Sequence, residues 1–189
     1  MSRNIVIADD EPITRMDLRE MLEEVGYNVV GEASDGFDAV ELCKKFNPDI
    51  VIMDVKMPLL DGIKASNIII NEETAGAIVL LTAYSDKDFI EEAKKAGVMG
   101  YLVKPIDEKS LIPTLEIAEY KGMEIKQIKK IARETKDKLE SRKIIEKAKG
   151  ILMEQYNLCE EEAFQKLRKL SMDKRCAMKD IASIIIMNK

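Results

Sequence analysis

The sequence predicts a doubly wound α/β domain followed by an all-helical segment. Three observations carry that prediction. Up to about Leu115, short runs of Ile, Val and Leu alternate with segments of helical apolar spacing, the pattern of a parallel sheet covered on both faces. Beyond that point the Val-rich runs stop, and only Gly122 and Gly150 punctuate the rest. The charge changes sign in the same region. Residues 1–120 hold 12 Lys and Arg against 24 Asp and Glu, a net of −12, while residues 121–189 hold 18 against 11, a net of +7.

Taken in order, strands are expected at Asn4–Ala8, Asn28–Glu32, Asp49–Met53, Ala77–Leu81 and Gly100–Val103. Helices are expected between them, at Thr14–Val25, Phe37–Phe46, Gly62–Ile70 and Lys87–Ala96. Gly26, Gly36 and Gly97 mark the breaks, and Asn47-Pro48 ends the second helix. Right-handed crossovers follow for such an alternation. A fifth helix starts after Asp107, a suitable N-cap. Pro113 must then lie in an early turn, or the helix begins later.

Residues 115–155 read as one long helix, or two in line. Ile125, Ile128, Ala132 and Leu139 fall at spacings of a coiled-coil seam, interrupted by Thr135 and Arg142. A dimer seam and an ordinary linker helix both remain open. Asn157 breaks the chain, Glu160–Leu170 forms the next helix, and Ala177–Met187 another. These pieces suffice for a small helical bundle in which Ala148, Leu152, Ala163, Phe164 and Leu167 are core. Without a Ser/Gly-rich tether, the domains are joined by helix.

Composition bounds the chemistry. There is no histidine in the 189 residues, which excludes Ser-His-Asp and Cys-His catalysis and the common His-bearing zinc sites. Cys43, Cys159 and Cys176 form no CxxC, so reduced, mostly buried thiols are expected. No apolar run approaches the roughly 20 residues that span a bilayer. The chain runs from Met1-Ser2-Arg3 straight into a strand, with no signal peptide. A cytoplasmic protein with no membrane partner is the expectation.

The strand ends carry the site. Asp9-Asp10 follow the first strand, Asp54 the third, Thr82 the fourth, and Lys104-Pro105 the fifth. In a parallel sheet those ends share one edge, where open α/β folds place their sites. Taken singly, such an Asp is more often a turn or cap residue, Thr82 a strand-end hydroxyl, and Lys104 a surface ammonium. Together they suit metal-assisted phosphorylation of a carboxylate. Asp54 is the nucleophile, forming an aspartyl phosphate. Clustered carboxylates call for a hard oxygen-liganded cation such as Mg2+. Asp10 and Asp54 are the direct ligands, with Asp9 acting through water. Lys104 pairs with a phosphoryl oxygen, and Thr82 donates to another. No enzyme activity is expected beyond accepting this phosphoryl group and, at most, releasing it again.

Asp9-Asp10, Asp54 with Met57-Pro58 and Asp61-Gly62, Thr82-Ala83, and Tyr101 with Lys104-Pro105 resemble the receiver domain of two-component response regulators. The resemblance covers residues 3–120 and implies a flavodoxin-like five-stranded sheet. It implies phosphoryl transfer from a partner sensor histidine kinase, which supplies the missing histidine. It adds the Lys56 backbone carbonyl as a metal ligand, and Thr82 with Tyr101 as a switch pair. A phosphoryl group adds about −1.5 to −2 charge, enough to bias a two-state surface. By itself, Tyr101 also reads as a partly buried strand aromatic.

The basic second part admits a nucleic-acid reader or a merely solvated face. Ile144-Ile-Glu-Lys-Ala-Lys-Gly-Ile-Leu-Met153, Glu160-Glu-Glu-Ala-Phe164, Leu167-Arg168, Ser171-Met172 and Asp180-Ile-Ala182 resemble the ANTAR domain, a three-helix RNA-binding module of antitermination regulators. That match runs over residues 125–187, with 121–143 as a helical linker. The whole chain looks most like ethanolamine-utilisation antitermination regulators. The resemblance implies binding of paired hairpins in a nascent leader RNA, which prevents transcription termination. A homodimer formed on phosphorylation is expected, since it would present two such domains to two hairpins and gain by avidity. Arg142, Lys143, Lys147, Lys149 and Gly150 then give the basic helical surface, joined by Arg168, Lys174 and Arg175. Tyr156 can stack on a base or pack on the surface. Cys159 stands where the family carries a capping Ser or Thr, so that helix is expected to start weakly or to use Asn157. A DNA-binding regulator and one acting through a protein partner are the alternatives.

Overall fold

The computed structural model describes residues 3–83 and 87–188, with the backbone alone over 87–90. Met1 and Ser2, which open the expected first domain, lie outside the described residues. Five parallel strands, β1 (Asn4–Ala8), β2 (Asn28–Ala33), β3 (Ile50–Asp54), β4 (Ala77–Thr82) and β5 (Gly100–Val103), form one sheet in the order β2-β1-β3-β4-β5. This is the flavodoxin-like order, with its switch point between β1 and β3. The register sets Ala8 beside Met53, Asp54 beside Leu81, and Thr82 beside Val103.

Alternation along each strand sorts the core into two layers. Ile5, Ile7, Ile50, Ile52, Val79 and Leu81 face α1 (Pro12–Glu24) and the first part of α5 (Glu108–Tyr156), meeting Leu18, Leu22, Leu111 and Leu115. Val6, Ala8, Val51, Met53, Ile78 and Leu80 face α2 (Gly36–Phe46), α3 (Gly62–Asn71) and α4 (Lys87–Lys95). Each buried aliphatic side chain contributes about 2 kcal/mol, so this two-sided burial fixes which strand ends lie together.

Several helix bounds differ from expectation for local reasons. Helix α1 begins at Pro12 rather than Thr14, because proline suits the first helical position. Strand β3 takes in Asp54, and β4 takes in Thr82. Helix α5 starts at Glu108, with the Ser110 N–H donating to the Asp107 carboxylate at 2.7 Å. Pro113 lies inside it, and the helix continues unbroken to Tyr156 over 49 residues.

The chain divides into two compact units, Met1–Gln127 and Ile128–Lys189. In the second, the end of α5 packs with α6 (Glu160–Lys174) and α7 (Met178–Met187) around Ala148, Leu152, Ala163, Leu167, Ile181 and Ala182. Asn157 breaks α5 in the left-handed region (φ 52°). Phe164 does not join this core: it stands 37% exposed, because the apolar arc of α6 is narrow and centred on Ala163 and Leu167. The segment after α6 is shorter than expected, since the helix runs to Lys174 and Arg175 closes it in the left-handed region. Cys159 occupies the N-cap of α6, and its backbone N–H donates to Glu162 Oε2 at 2.8 Å. The Glu162 carboxylate thus anchors this start, with no part for Asn157. Of the thiols, only Cys43 is buried, Cys159 being exposed. Desolvation pushes the Cys43 thiol up to about 12.

Candidate functional site

The C-terminal edge of the sheet brings the acidic residues together as their strand positions require. Asp9, directly after β1, is fully buried, and Asp54, ending β3, is nearly so. Lys104 reaches across from the end of β5, with Nζ 2.7 Å from Asp9 Oδ2 and 3.0 Å from Asp54 Oδ1. The other Asp9 oxygen accepts the Glu11 N–H at 3.0 Å, and the other Asp54 oxygen accepts the Lys56 N–H at 2.9 Å. Thr82 is buried at the end of β4, one strand from Asp54. Asp10 is exposed at the rim. Tyr101, on β5, stands half exposed on the surface.

Electrostatics disfavour the charged form of Asp54. Burial is the main influence raising its pKa above the ordinary value, and the Asp9 charge adds to it. Lys104 pulls in the other direction without cancelling the rise. For Lys104, burial is the largest single effect and lowers its pKa, but the hydrogen bonds and charges of Asp9 and Asp54 together raise it. The ammonium therefore stays charged. Asp9 and Asp54 against one ammonium leave uncompensated negative charge at the edge, which suits a cation. Among the described residues no three carboxylates or thiols are already drawn together at metal-ligating separation. The Lys104 ammonium lies between Asp9 and Asp54 instead.

Two further groups support the site, of which only Arg15 was not singled out in the sequence. Arg15 in α1 donates from Nη1 to the Asp9 backbone carbonyl at 2.5 Å, and its Nε lies 3.4 Å from Glu32 Oε2. Gly62 opens α3 against the backbone of Asp54, so closely that a Cβ there would overlap the Asp54 carbonyl oxygen. Asp61 caps the same helix, accepting the Lys64 N–H at 2.9 Å. The Asp61-Gly62 pair was the available signal for this packing.

In the helical unit, Arg142, Lys143, Lys147 and Gly150 are exposed on α5, as is Arg168 on α6. Lys174 and Arg175 are exposed at the end of α6. A Cβ on Gly150 would meet nothing within 4 Å, so the chain itself does not require glycine there. Lys149 departs from the expected basic surface. It is only 6% exposed, with Nζ 2.8 Å from Glu146 Oε2 and 2.7 Å from Glu160 Oε1. Tyr156 stays exposed at the end of α5, its ring covered on one face by the Lys166 ammonium at 3.3 Å from the centroid.

No helix of the described residues is long and apolar enough to cross a membrane. Comparison with known proteins matches residues 5–116 to the response regulator receiver domain and residues 133–186 to the ANTAR domain. The chain is 45% identical over 184 residues to the transcriptional regulatory protein PdtaR of Mycobacterium tuberculosis, spanning 97% of this chain and 89% of that one. Among solved structures it is similar to a two-component response regulator of the LuxR family from Aurantimonas sp. SI85-9A1, at 34% identity and a TM-score of 0.59. That match covers 64% of this chain and 86% of the other. It is also similar to the CheX-CheY-BeF3-Mg+2 complex from Borrelia burgdorferi, at 27% identity and a TM-score of 0.57, covering 60% and 86%. The chain belongs to the response regulator family, with a receiver domain of flavodoxin-like fold and a C-terminal ANTAR domain.

Proposed function

We propose that the protein is a phosphorylation-activated antiterminator that binds paired hairpins in a nascent leader RNA. The observation that carries this reading is the pairing of an Asp9, Asp54 and Lys104 cluster in the receiver with an exposed basic face in the ANTAR unit. Asp54 attacks the phosphoryl group carried by a histidine of a partner sensor kinase. The donor P–N bond breaks as the P–O bond to the Asp54 carboxylate forms. Lys104 then exchanges a carboxylate for a phosphoryl oxygen, and Thr82 donates a hydrogen bond to another. Asp10, Asp54 and the Lys56 carbonyl would hold Mg2+, with Asp9 reaching it through water. When bound, the metal supplies positive charge against the phosphoryl oxygens. The protein is otherwise no enzyme, and it acts in the cytoplasm.

The new charge biases the surface that carries Tyr101 toward self-association. Two ANTAR units in one dimer meet two hairpins, and affinity gains through effective concentration. Arg142, Lys143, Lys147, Gly150, Arg168, Lys174 and Arg175 form the RNA surface. The test is binding of the whole protein to an RNA with two stem-loops and to duplex DNA across a salt series. Preference for the hairpins with a steep salt slope supports the reading. Preference for the duplex overturns it in favour of a DNA-binding regulator, and binding to neither leaves a protein partner.

A further inference from the structure

The Lys149 ammonium is held from two helices at once. Glu146 lies one turn earlier on α5, and Glu160 opens α6 across the break at Asn157. The distances are 2.8 and 2.7 Å, and the Lys149 side chain is 8% exposed while both carboxylates are largely open to solvent. The hydrogen bonds to Glu146 and then Glu160 raise the Lys149 pKa, and the Lys149 hydrogen bond lowers that of Glu160. Two carboxylates surround one ammonium, so the cluster carries a net negative charge and offers a phosphate no unpaired cation.

We infer that Lys149 is a positioning residue, a clasp between α5 and α6, and not a phosphate contact. Resting on the RNA-binding reading, this inference refines which cations touch RNA. By tying the first turn of α6 to α5, Lys149 fixes the angle between two cationic groups. One is Arg142, Lys143 and Lys147 on α5, and the other is Arg168 on α6. Its neighbour two residues back, Lys147, is exposed and makes the contrast.

The experiment compares Lys149→Met, Lys149→Arg and Lys147→Gln in the full-length chain, with two readouts. The first is amide exchange at Ala163, whose N–H bonds to the Cys159 carbonyl in the first turn of α6. Lys149→Met should speed this exchange, Lys149→Arg should restore it, and Lys147→Gln should leave it alone. The second is the dependence of affinity for a two-stem-loop RNA on salt. A lost phosphate contact lowers the slope of log K against log[salt] by about 0.7 to 0.9. Lys147→Gln should show that drop. Lys149→Met should weaken binding by about tenfold at an unchanged slope. A slope that falls in Lys149→Met as it does in Lys147→Gln overturns the inference, as does unchanged exchange at Ala163. If the wild-type chain binds no RNA, the proposed function fails, and the exchange readout still decides the clasp.

Discussion

Gly62 lies directly against the Asp54 backbone, with no room for a Cβ beside the Asp54 carbonyl oxygen. The Gly62 N–H also donates to the Val55 carbonyl at 2.9 Å, so α3 begins against the end of the strand that carries Asp54. Any side chain at residue 62 pushes against backbone that cannot rotate away. Gly62→Ala should destabilise the receiver by about 2–4 kcal/mol, read by urea denaturation. It should also slow phosphorylation of Asp54 by a small phosphoryl donor. A stable variant with normal phosphorylation would show that the loop relaxes freely.

Removing the ammonium between the two carboxylates changes what the site needs. In Lys104→Met, Asp9 and Asp54 face each other without a cation, so the repulsion that already raises the Asp54 pKa grows. The expected result is a lower Tm in the absence of metal and a larger Tm gain on adding Mg2+ than in wild type. Equal Mg2+ responses in the two proteins would argue against a cation site at this edge.

The acid stability of the helical unit follows from its glutamates. The Lys149 hydrogen bond holds Glu160 below its ordinary range, and the Cys159 N–H does the same for Glu162. A depressed folded pKa means that the unfolded chain binds more protons as pH falls. This stability is complete above the ordinary glutamate value of about 4.3 and is lost as pH falls through the lower folded values. Lys149→Met should flatten the Glu160 part of that dependence, measured by thermal unfolding of the helical unit from pH 7 to pH 3.

Ile125, Ile128, Ala132 and Leu139, the expected seam positions, all stand exposed along α5. If they form the seam of the proposed dimer, Ile128→Glu should keep the phosphorylated protein at monomer size. Its affinity for a two-hairpin RNA should then fall to that for one hairpin. Light scattering with the variant and the wild type checks this. A variant that still dimerises on phosphorylation moves the interface elsewhere.

How much of this was legible in the sequence depends on the range of the interaction. The five strands were readable because continuous Ile/Val runs such as Ile50–Met53 are what burial on both faces requires. The Asp9, Asp54, Thr82 and Lys104 edge followed from strand ends alone, since parallel pairing leaves those ends no other place. Contacts set by three-dimensional approach were not readable. Lys149 looked like part of a basic run, and its partner Glu160 lies beyond a helix break. Glu146, three residues earlier, was the one local hint. Cys159 was read as a poor cap, while the compensating Glu162 stood in plain view at the third helical position. Phe164 was placed in the core by spacing, but only half of an apolar pair next to a narrow arc can be buried. Arg15 gave no pattern signal, because its partner is a backbone carbonyl.

The central claim is that phosphorylation of Asp54 controls RNA binding. The most direct measurement is the affinity of the whole protein for a two-stem-loop RNA, with and without a phosphoryl donor and Mg2+, beside Asp54→Ala. The account predicts that affinity rises by about tenfold or more on phosphorylation and that Asp54→Ala shows no rise. Equal affinity in all four conditions, or a rise that persists in Asp54→Ala, would contradict it.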